Sequence, residues 1–406
     1  MSKTLGYIGP FIGQTISSLQ QAVFFDPHCA ISRNRQPGRV NVGATGSGKT
    51  RSIFTQATLD LILGKRVLYI EPKIDSMGIP YMPIVQEATK NIDTYFVTEA
   101  PAGSFDPFSL YDDDAEARTV AMNTLQSLFG TNIFSYYRTT IQTTLTEYLK
   151  LNKNCSLMGY TEYLRKTARR DSKEYELYVE LKGTSETRYA ALLFQKNTKQ
   201  DAISSLSKMD ECGITLISLM GLDLPKSAKP EQEYTASERI GLTILSLLLG
   251  RIHSACFKKP KPFPVSIYID EFWQVAQTAT GKSFIDSLLR LARTYNVALS
   301  LASQNPSDFK DVEPHISSWF VFRLEEGEKT ATSEKQTTIA ARYLGITPEE
   351  AAETLPTMQI GHAIFRDADR RAAKIEFFCP DDWKDYFETN PVKKAAINIE
   401  NKGVRI

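Results

Sequence analysis

The sequence predicts an α/β fold: a mostly parallel central sheet flanked by helices, plus an all-helical insertion. Three observations in its 406 residues predict it. Short β-rich runs alternate with helical stretches along most of the chain. Several of those runs are apolar throughout, the pattern of strands covered on both faces. Between about residues 112 and 209 the strand signal lapses and apolar residues recur at helical spacing.

The elements follow in order. The N-terminal "MSKTLGYIGPFIGQTISS" is broken by Gly and Pro, lacks a solid apolar run and does not read as a signal peptide. "RVNVGA" is the first β-run, and "KRVLYIEP" and "DTYFVTE" are the next two. "DAEARTVAMNTLQSLFG", "YYRTTIQTTLTEYLKL", "MGYTEYLRKTARR" and "SETRYAALLFQKNTKQDAISSLSKM" form the insertion. At roughly a hundred residues it has the size of a small domain. Strand signal resumes with "GITLISLMGLDL". The polar, Pro-containing "DLPKSAKPEQEYTASER" then offers a helix start at Thr235 or Ser237. "IGLTILSLLLG" is the most apolar helical stretch; cut off by Arg251, it is too short to span a bilayer and reads as a buried helix. "FPVSIYIDEF", "NVALSLASQ" and "SWFVFRL" are further strands. "HAIFRDA" and "AKIEFFC", separated by the polar "DRR", predict an antiparallel hairpin at the sheet edge. The chain divides into a core of residues 1–111 and 210–390, an insertion of 112–209 and a tail of 391–406.

Composition sets outer bounds. Hydrophobic residues at 42% can build a sizeable core and argue against global disorder. Lys+Arg of 48 against Asp+Glu of 47 gives a net charge of +1, with no bulk attraction to DNA or anionic lipid. A local basic patch stays open, although the best basic stretch, "YLRKTARRDSK", reads first as a solvated helix face. Cys29, Cys155, Cys212, Cys256 and Cys379 are scattered, with no pair at metal-ligand spacing, which suits a reducing cytosol.

Two motifs carry chemistry. "NVGATGSGKT" holds Gly43, Gly48, Lys49 and Thr50 in the pattern Gly, four residues, Gly-Lys-Ser/Thr. Chance gives that pattern in roughly one chain in a hundred of this length. A β-run precedes it and the apolar helical "RSIFTQATLDLILG" follows, the strand–loop–helix that a phosphate-binding loop needs. Backbone N–H groups of such a loop turn inward on phosphates, and the helix N-terminus adds positive dipole. Lys49 neutralises β/γ oxygens and the Thr50 hydroxyl ligates Mg²⁺. The second motif is "VSIYIDEFW", an apolar strand ending in Asp270-Glu271. Asp270 is placed to hold Mg²⁺ and Glu271 to polarise an attacking water, a pairing that favours a motor-type hydrolase over a kinase. A guanine-reading Asn-Lys-x-Asp string does not follow it.

Beyond these, "LLRLARTYNVALSLASQNPSDF" delivers Gln304 at the C-terminal end of a strand, where ligands gather in parallel sheets. Arg293 lies at the other end, roughly 20 Å away along the strand. It is either a finger for a neighbouring subunit's nucleotide or a solvated helix-end charge.

Taken in order, the phosphate loop, "YIEPK", "GLDLP", "YIDEFW", "RTYN", "ASQNPSD" and "IGHAIF" resemble the ATPase domain of the large VirB-type conjugation ATPase of type IV secretion systems, in the FtsK/HerA branch of P-loop motors. The resemblance runs from about Tyr7 to Phe378. It implies a RecA-like P-loop core binding ATP and Mg²⁺. Gly43, Ala44, Thr45, Gly46, Ser47, Gly48, Lys49, Thr50 and Arg51 would surround the nucleotide, with Thr50 and Asp270 on the metal. Glu271 would be the catalytic carboxylate, Gln304 the sensor glutamine and Arg293 the arginine given in trans. It further implies a homo-oligomeric ring, expected to be a hexamer. The ring would work in the cytoplasm with conjugation and secretion proteins, which could hold it at the inner membrane face without insertion. The expected activity is Mg-dependent ATP hydrolysis that energises conjugative DNA transfer or secretion. The alternative is a coupling or packaging ATPase that moves DNA directly. The family's Asp-Pro-Lys-Gly-Glu is replaced by Glu71-Pro72-Lys73-Ile74-Asp75, so Glu71 and Lys73 receive no catalytic role and read as a strand-end turn.

Overall fold

A computed structural model describes residues 7–73, 75–108, 114–152, 154–195, 210–225, 229–257, 261–276, 279–325 and 335–388. The first part of the chain gives β1 (Tyr7–Ile8), β2 (Phe11–Thr15), β3 (Ala22–Phe25), α1 (Cys29–Ser32), β4 (Gly38–Val42), α2 (Lys49–Ile62), β5 (Arg66–Glu71), α3 (Pro83–Ala88) and β6 (Ile92–Phe96). Helices α4 (Asp114–Leu151), α5 (Leu157–Thr167) and α6 (Lys173–Ser185) follow. Then come β7 (Gly213–Ser218), α7 (Ala236–Phe257), β8 (Val265–Ile269), α8 (Phe272–Ala276), α9 (Ala279–Leu291) and β9 (Val297–Ser303). The last are β10 (Ile316–Phe322), α10 (Gln336–Leu344), α11 (Pro348–Thr354), β11 (His362–Arg366), β12 (Ala372–Phe377) and α12 (Asp381–Lys384).

The described strands form one sheet in the order β1-β3-β2-β12-β11-β10-β4-β9-β8-β5-β7-β6. From β10 to β6 every pairing is parallel. β4, β5, β7, β8 and β9 are buried along their whole lengths, which is why β5, β7 and β8 read as largely apolar runs, whereas β4 buries Arg39 and Asn41 between its valines. On one face α2 packs through Ile53, Phe54 and Leu61 against Tyr69 and Tyr268. On the other, one apolar cluster joins Val40, Leu68 and Leu299 to Leu245 and Leu248 of α7 and onward to Leu125, Tyr148 and Leu177 of α4 and α6. Between β6 and β7 the described residues contain helices and no strand; residues 196–209, where "SETRYAALLFQKNTKQDAISSLSKM" ends, and the tail from residue 389 lie outside the described residues. α4 breaks at Gly130 (φ 76°, ψ 164°).

Two sequence expectations need correction. The β11–β12 hairpin forms, with Ala363 opposite Ile375, but it is not at the sheet edge. β12 pairs onward with β2 through Ile375–Thr15, and β3 and β1 lie beyond. Those N-terminal strands are only two to five residues long and are interrupted by Gly9, Pro10 and Gly13, so they carry little periodic signal. They are nonetheless seated on a real core, in which Phe25 meets Phe320 and Phe365 edge to face, while Phe320 and Phe365 stack at 4.4 Å. Second, α7 does not stop at Arg251. It runs 22 residues, long and apolar enough by length and composition to cross a membrane. Two thirds of its most apolar window is buried within the fold, against α4 and α9, so the reading as a buried helix holds while the reading as too short does not. Its start is fixed by a reciprocal cap: Glu238 N–H donates to Thr235 Oγ1 (3.2 Å) and Thr235 N–H to Glu238 Oε2 (2.8 Å).

Candidate active site

The phosphate loop leaves the C-terminal end of β4, between β10 and β9, and open α/β sheets collect ligands at the C-terminal ends of their strands. Its backbone is tied down on three sides. Gly43 N–H donates to Ser303 O (3.3 Å) at the end of β9, Ala44 N–H to Arg323 O (2.8 Å) just past β10, and Gly361 N–H to Ser47 O (3.0 Å). Two glycines are required by this crowding. A Cβ on Gly43 would stand 2.6 Å from Phe322 Cβ, and one on Gly48, whose φ is +96°, would stand 2.7 Å from Gly361 N. α2 then begins at Lys49, whose side chain is buried. Burial holds the Lys49 ammonium below its usual pKa, against the opposing pull of Asp270 and Glu271.

The acidic pair stands at the end of β8. Asp270 N–H bonds Ile70 O (3.0 Å), and Asp270 Oδ1 accepts from Glu271 N–H (2.9 Å). Burial raises the Asp270 pKa, opposed chiefly by Lys49. Glu271 takes a left-handed φ of 46°, a conformation that costs a non-glycine residue about 1–3 kcal/mol. That turn buries its carboxylate next to the phosphate loop rather than continuing the strand outward. Glu271 Oε1 accepts from Gln304 Nε2 (3.1 Å) and Oε2 from Trp273 Nε1 (2.9 Å). Gln304 Oε1 in turn accepts from Thr45 Oγ1 (3.2 Å), closing a chain from loop to acidic pair. The structure therefore brings together Lys49, Asp270, Glu271, Gln304 and the loop from Gly43 to Thr50.

It does not bring Arg293 there. That residue lies in the turn after α9, exposed, with Nη1 donating to Asn34 O (3.3 Å), at the opposite end of β9 from Gln304. Arg51 points to a different feature, a cleft of about 470 Å³ beside the start of α2, lined also by Gly48, Ile360, Phe11, Phe378 and Glu376. Phe11 and Phe378 meet there at 5.4 Å, and Gln14 Nε2 donates to Glu376 Oε2 (3.1 Å).

Three residues given no role by sequence reasoning also face the site. Trp273 fixes Glu271, as above. Asp308 accepts from Ser303 Oγ, and its carboxyl, raised by burial, feels both Glu271 and Lys49. Lys73 Nζ stands 3.9 Å from Glu271 Oε1. All three lie in strings that carried the resemblance, "YIDEFW", "ASQNPSD" and "YIEPK", but nothing in their spacing says which side chains turn inward. Glu71 is buried, and burial pushes its carboxyl up to about 8 against hydrogen bonds from Ser76 N–H and Oγ.

The donors fit a nucleotide-borne magnesium. Thr50 and Asp270 offer hard oxygens of the kind magnesium takes, and Ser47 Oγ is buried without a hydrogen-bond partner. Among the described residues no group of three or more His, Cys, Asp or Glu could hold a metal unaided.

The sequence profile of the AAA-like domain matches residues 21–387. The chain belongs to the AAA-like domain family. This AAA-like chain is similar in fold to VirB4 of Thermoanaerobacter pseudethanolicus, with a TM-score of 0.66 at 16% identity, covering 94% of this chain and 99% of that one. The bacterial conjugative coupling protein TrwBdeltaN70, in its unbound monoclinic form, superposes with a TM-score of 0.55 at 14% identity, covering 93% and 98%. TrwB in complex with the ATP analogue ADPNP gives 0.51 at 14% identity, covering 93% and 97%. No curated protein matches the sequence. The resemblance to the VirB-type conjugation ATPase, with its RecA-like P-loop core and mostly parallel sheet, is thus borne out in the fold.

Proposed function

We propose that this AAA-like protein hydrolyses Mg-ATP as a ring-forming motor, a hexamer, that energises conjugative DNA transfer or type IV secretion. One observation carries the hydrolytic reading. Thr45, Gln304 and Glu271 form a continuous hydrogen-bonded chain beside buried Lys49 and half-buried Asp270, at the C-terminal ends of β4, β8 and β9. The backbone N–H groups of Gly46 to Thr50 and the Lys49 ammonium take the β- and γ-phosphates. Thr50 and Asp270 hold Mg²⁺, which when bound offsets phosphate charge. Glu271 accepts the proton of the attacking water, and Gln304 aligns that water against the γ-phosphate. The base and ribose enter the cleft beside Arg51, where Phe378 and Ile360 offer apolar contact. Arg293 is supplied by the neighbouring subunit, because its position at the far end of β9 keeps it from its own chain's site.

The conjugative setting rests on likeness to VirB4 and the conjugative coupling protein TrwB. Work at the cytoplasmic face of the cell membrane, through partner proteins, belongs to the same reading. The test is the mass of the protein with and without Mg-ATP, measured alongside phosphate release. Nucleotide-dependent assembly with turnover is expected; turnover by a species that stays monomeric at all concentrations would remove the ring.

A further inference from the structure

Lys73 lies in the turn at the end of β5, and its ammonium stands 3.9 Å from the carboxylate that the hydrolytic reading depends on. It follows Glu71 and Pro72 at the C-terminal end of β5, directly beside β8 and its acidic pair. The turn is anchored on both sides. The Glu71 carboxyl accepts from Ser76 N–H, and Lys73 O accepts from Ser218 Oγ (2.9 Å) at the end of β7. The backbone of Lys73 is therefore fixed while its side chain stays free: it is 61% exposed, and its Nζ stands 3.9 Å from Glu271 Oε1. That oxygen also accepts from Gln304, and the other carboxylate oxygen accepts from Trp273. Glu271 thus has both oxygens engaged. Trp273 and Gln304 are partly buried and well aligned. The Lys73 contact is long and exposed, a pairing worth little in water.

We infer that Lys73 senses the γ-phosphate. Its ammonium pairs loosely with Glu271 Oε1 when no γ-phosphate is present and moves onto that phosphate when ATP binds, opening one side of Oε1, which Gln304 still holds, to the attacking water. The inference rests on the hydrolytic reading above. The exchange is driven by charge, since a terminal phosphate carries more negative charge than one carboxylate at similar range. Lys73 also adds to the positive field that Lys49 already supplies, as shown by its unfavourable effect on the Lys49 ammonium. ADP lacks the group that draws Lys73 away, so the pair with Glu271 persists with ADP bound.

The test compares binding of ADP and of a non-hydrolysable ATP analogue, by calorimetry with Mg²⁺, to wild type, Lys73→Ala, Lys73→Arg and Lys49→Ala. Lys73→Ala should leave ADP affinity unchanged and weaken the analogue by about 10–100-fold, the usual worth of a charge-assisted contact. Lys73→Arg should recover part of that loss, because it restores the cation and not the exact reach. A Lys73→Ala protein whose analogue-to-ADP ratio equals that of wild type, whether both affinities hold or both fall together, overturns the inference. Wild type that binds neither nucleotide would sink both this and the hydrolytic reading. Wild type that binds both, with Lys49→Ala binding neither and the Lys73→Ala ratio unchanged, would sink the Lys73 role alone.

Discussion

Replacing Glu271 with glutamine separates nucleotide binding from its hydrolysis. The substitution keeps the side chain's size and leaves the left-handed φ of 46° as it is, so no new backbone strain arises. What changes is the acceptor count. The carboxylate receives Gln304 Nε2 on one oxygen and Trp273 Nε1 on the other. An amide offers one oxygen and turns its NH₂ toward the second donor, so one N–H loses its partner, at a cost of about 1–3 kcal/mol. That is a modest loss for a chain of this size, and the folded state should persist. One negative charge also leaves the neighbourhood of Lys49 and Asp270. Polyphosphate is then repelled less, and ATP affinity should hold or rise. The chemical step is different, because an amide takes no proton from water. Hydrolysis should slow by about 10²–10⁴-fold, or roughly 3–5 kcal/mol in the barrier. Equilibrium binding of a fluorescent ATP analogue and single-turnover phosphate release measure the two halves. A folded Glu271→Gln protein that releases phosphate at the wild-type rate would refute the reasoning, and Asp308, a half-buried carboxyl that feels Lys49, would become the residue to examine.

Arg293→Ala should bind ATP near normally yet hydrolyse it about 10³–10⁵-fold more slowly, and co-assembly with Lys49→Ala should restore some turnover because some interfaces pair an intact loop with an intact finger. No recovery in mixed rings shown to form would return Arg293 to a helix-end charge held by Asn34. Glu71, raised to about 8 by burial, keeps its proton in the folded chain where the unfolded chain has lost it. Stability should therefore fall as pH rises from about 5 to 8, by up to about 1.4 kcal/mol per unit, and Glu71→Gln should flatten that slope in denaturant titrations. An unchanged slope would mean that another group is responsible.

Much of the parallel core is legible in the sequence because burial on both faces leaves a continuous apolar run. β5, β8 and β9 are largely of this kind, whereas β4 carries buried Arg39 and Asn41 between its valines. The N-terminal strands were not, since β1 to β3 are short and broken by Gly and Pro, and their places depend on pairing with β12, hundreds of residues away. The end of α7 is not legible because a single Arg251 inside an apolar helix reads as a stop, whereas the helix carries it through. At the site, Gly43 to Thr50 and Asp270–Glu271 announce themselves by spacing. The chain from Thr45 through Gln304 to Glu271, and the approach of Lys73, depend on which way side chains turn at four strand ends. Local pattern carries no record of that.

The central claim is that this loop and this acidic pair hydrolyse ATP. Steady-state phosphate release from Mg-ATP, compared between wild type and Lys49→Ala, tests it most directly. The account predicts release by wild type that requires Mg²⁺. It predicts none from Lys49→Ala, whose neutral side chain leaves the β/γ charge unmet at the buried N-terminus of α2. Equal release from both proteins, or none from assembled wild type, would contradict it.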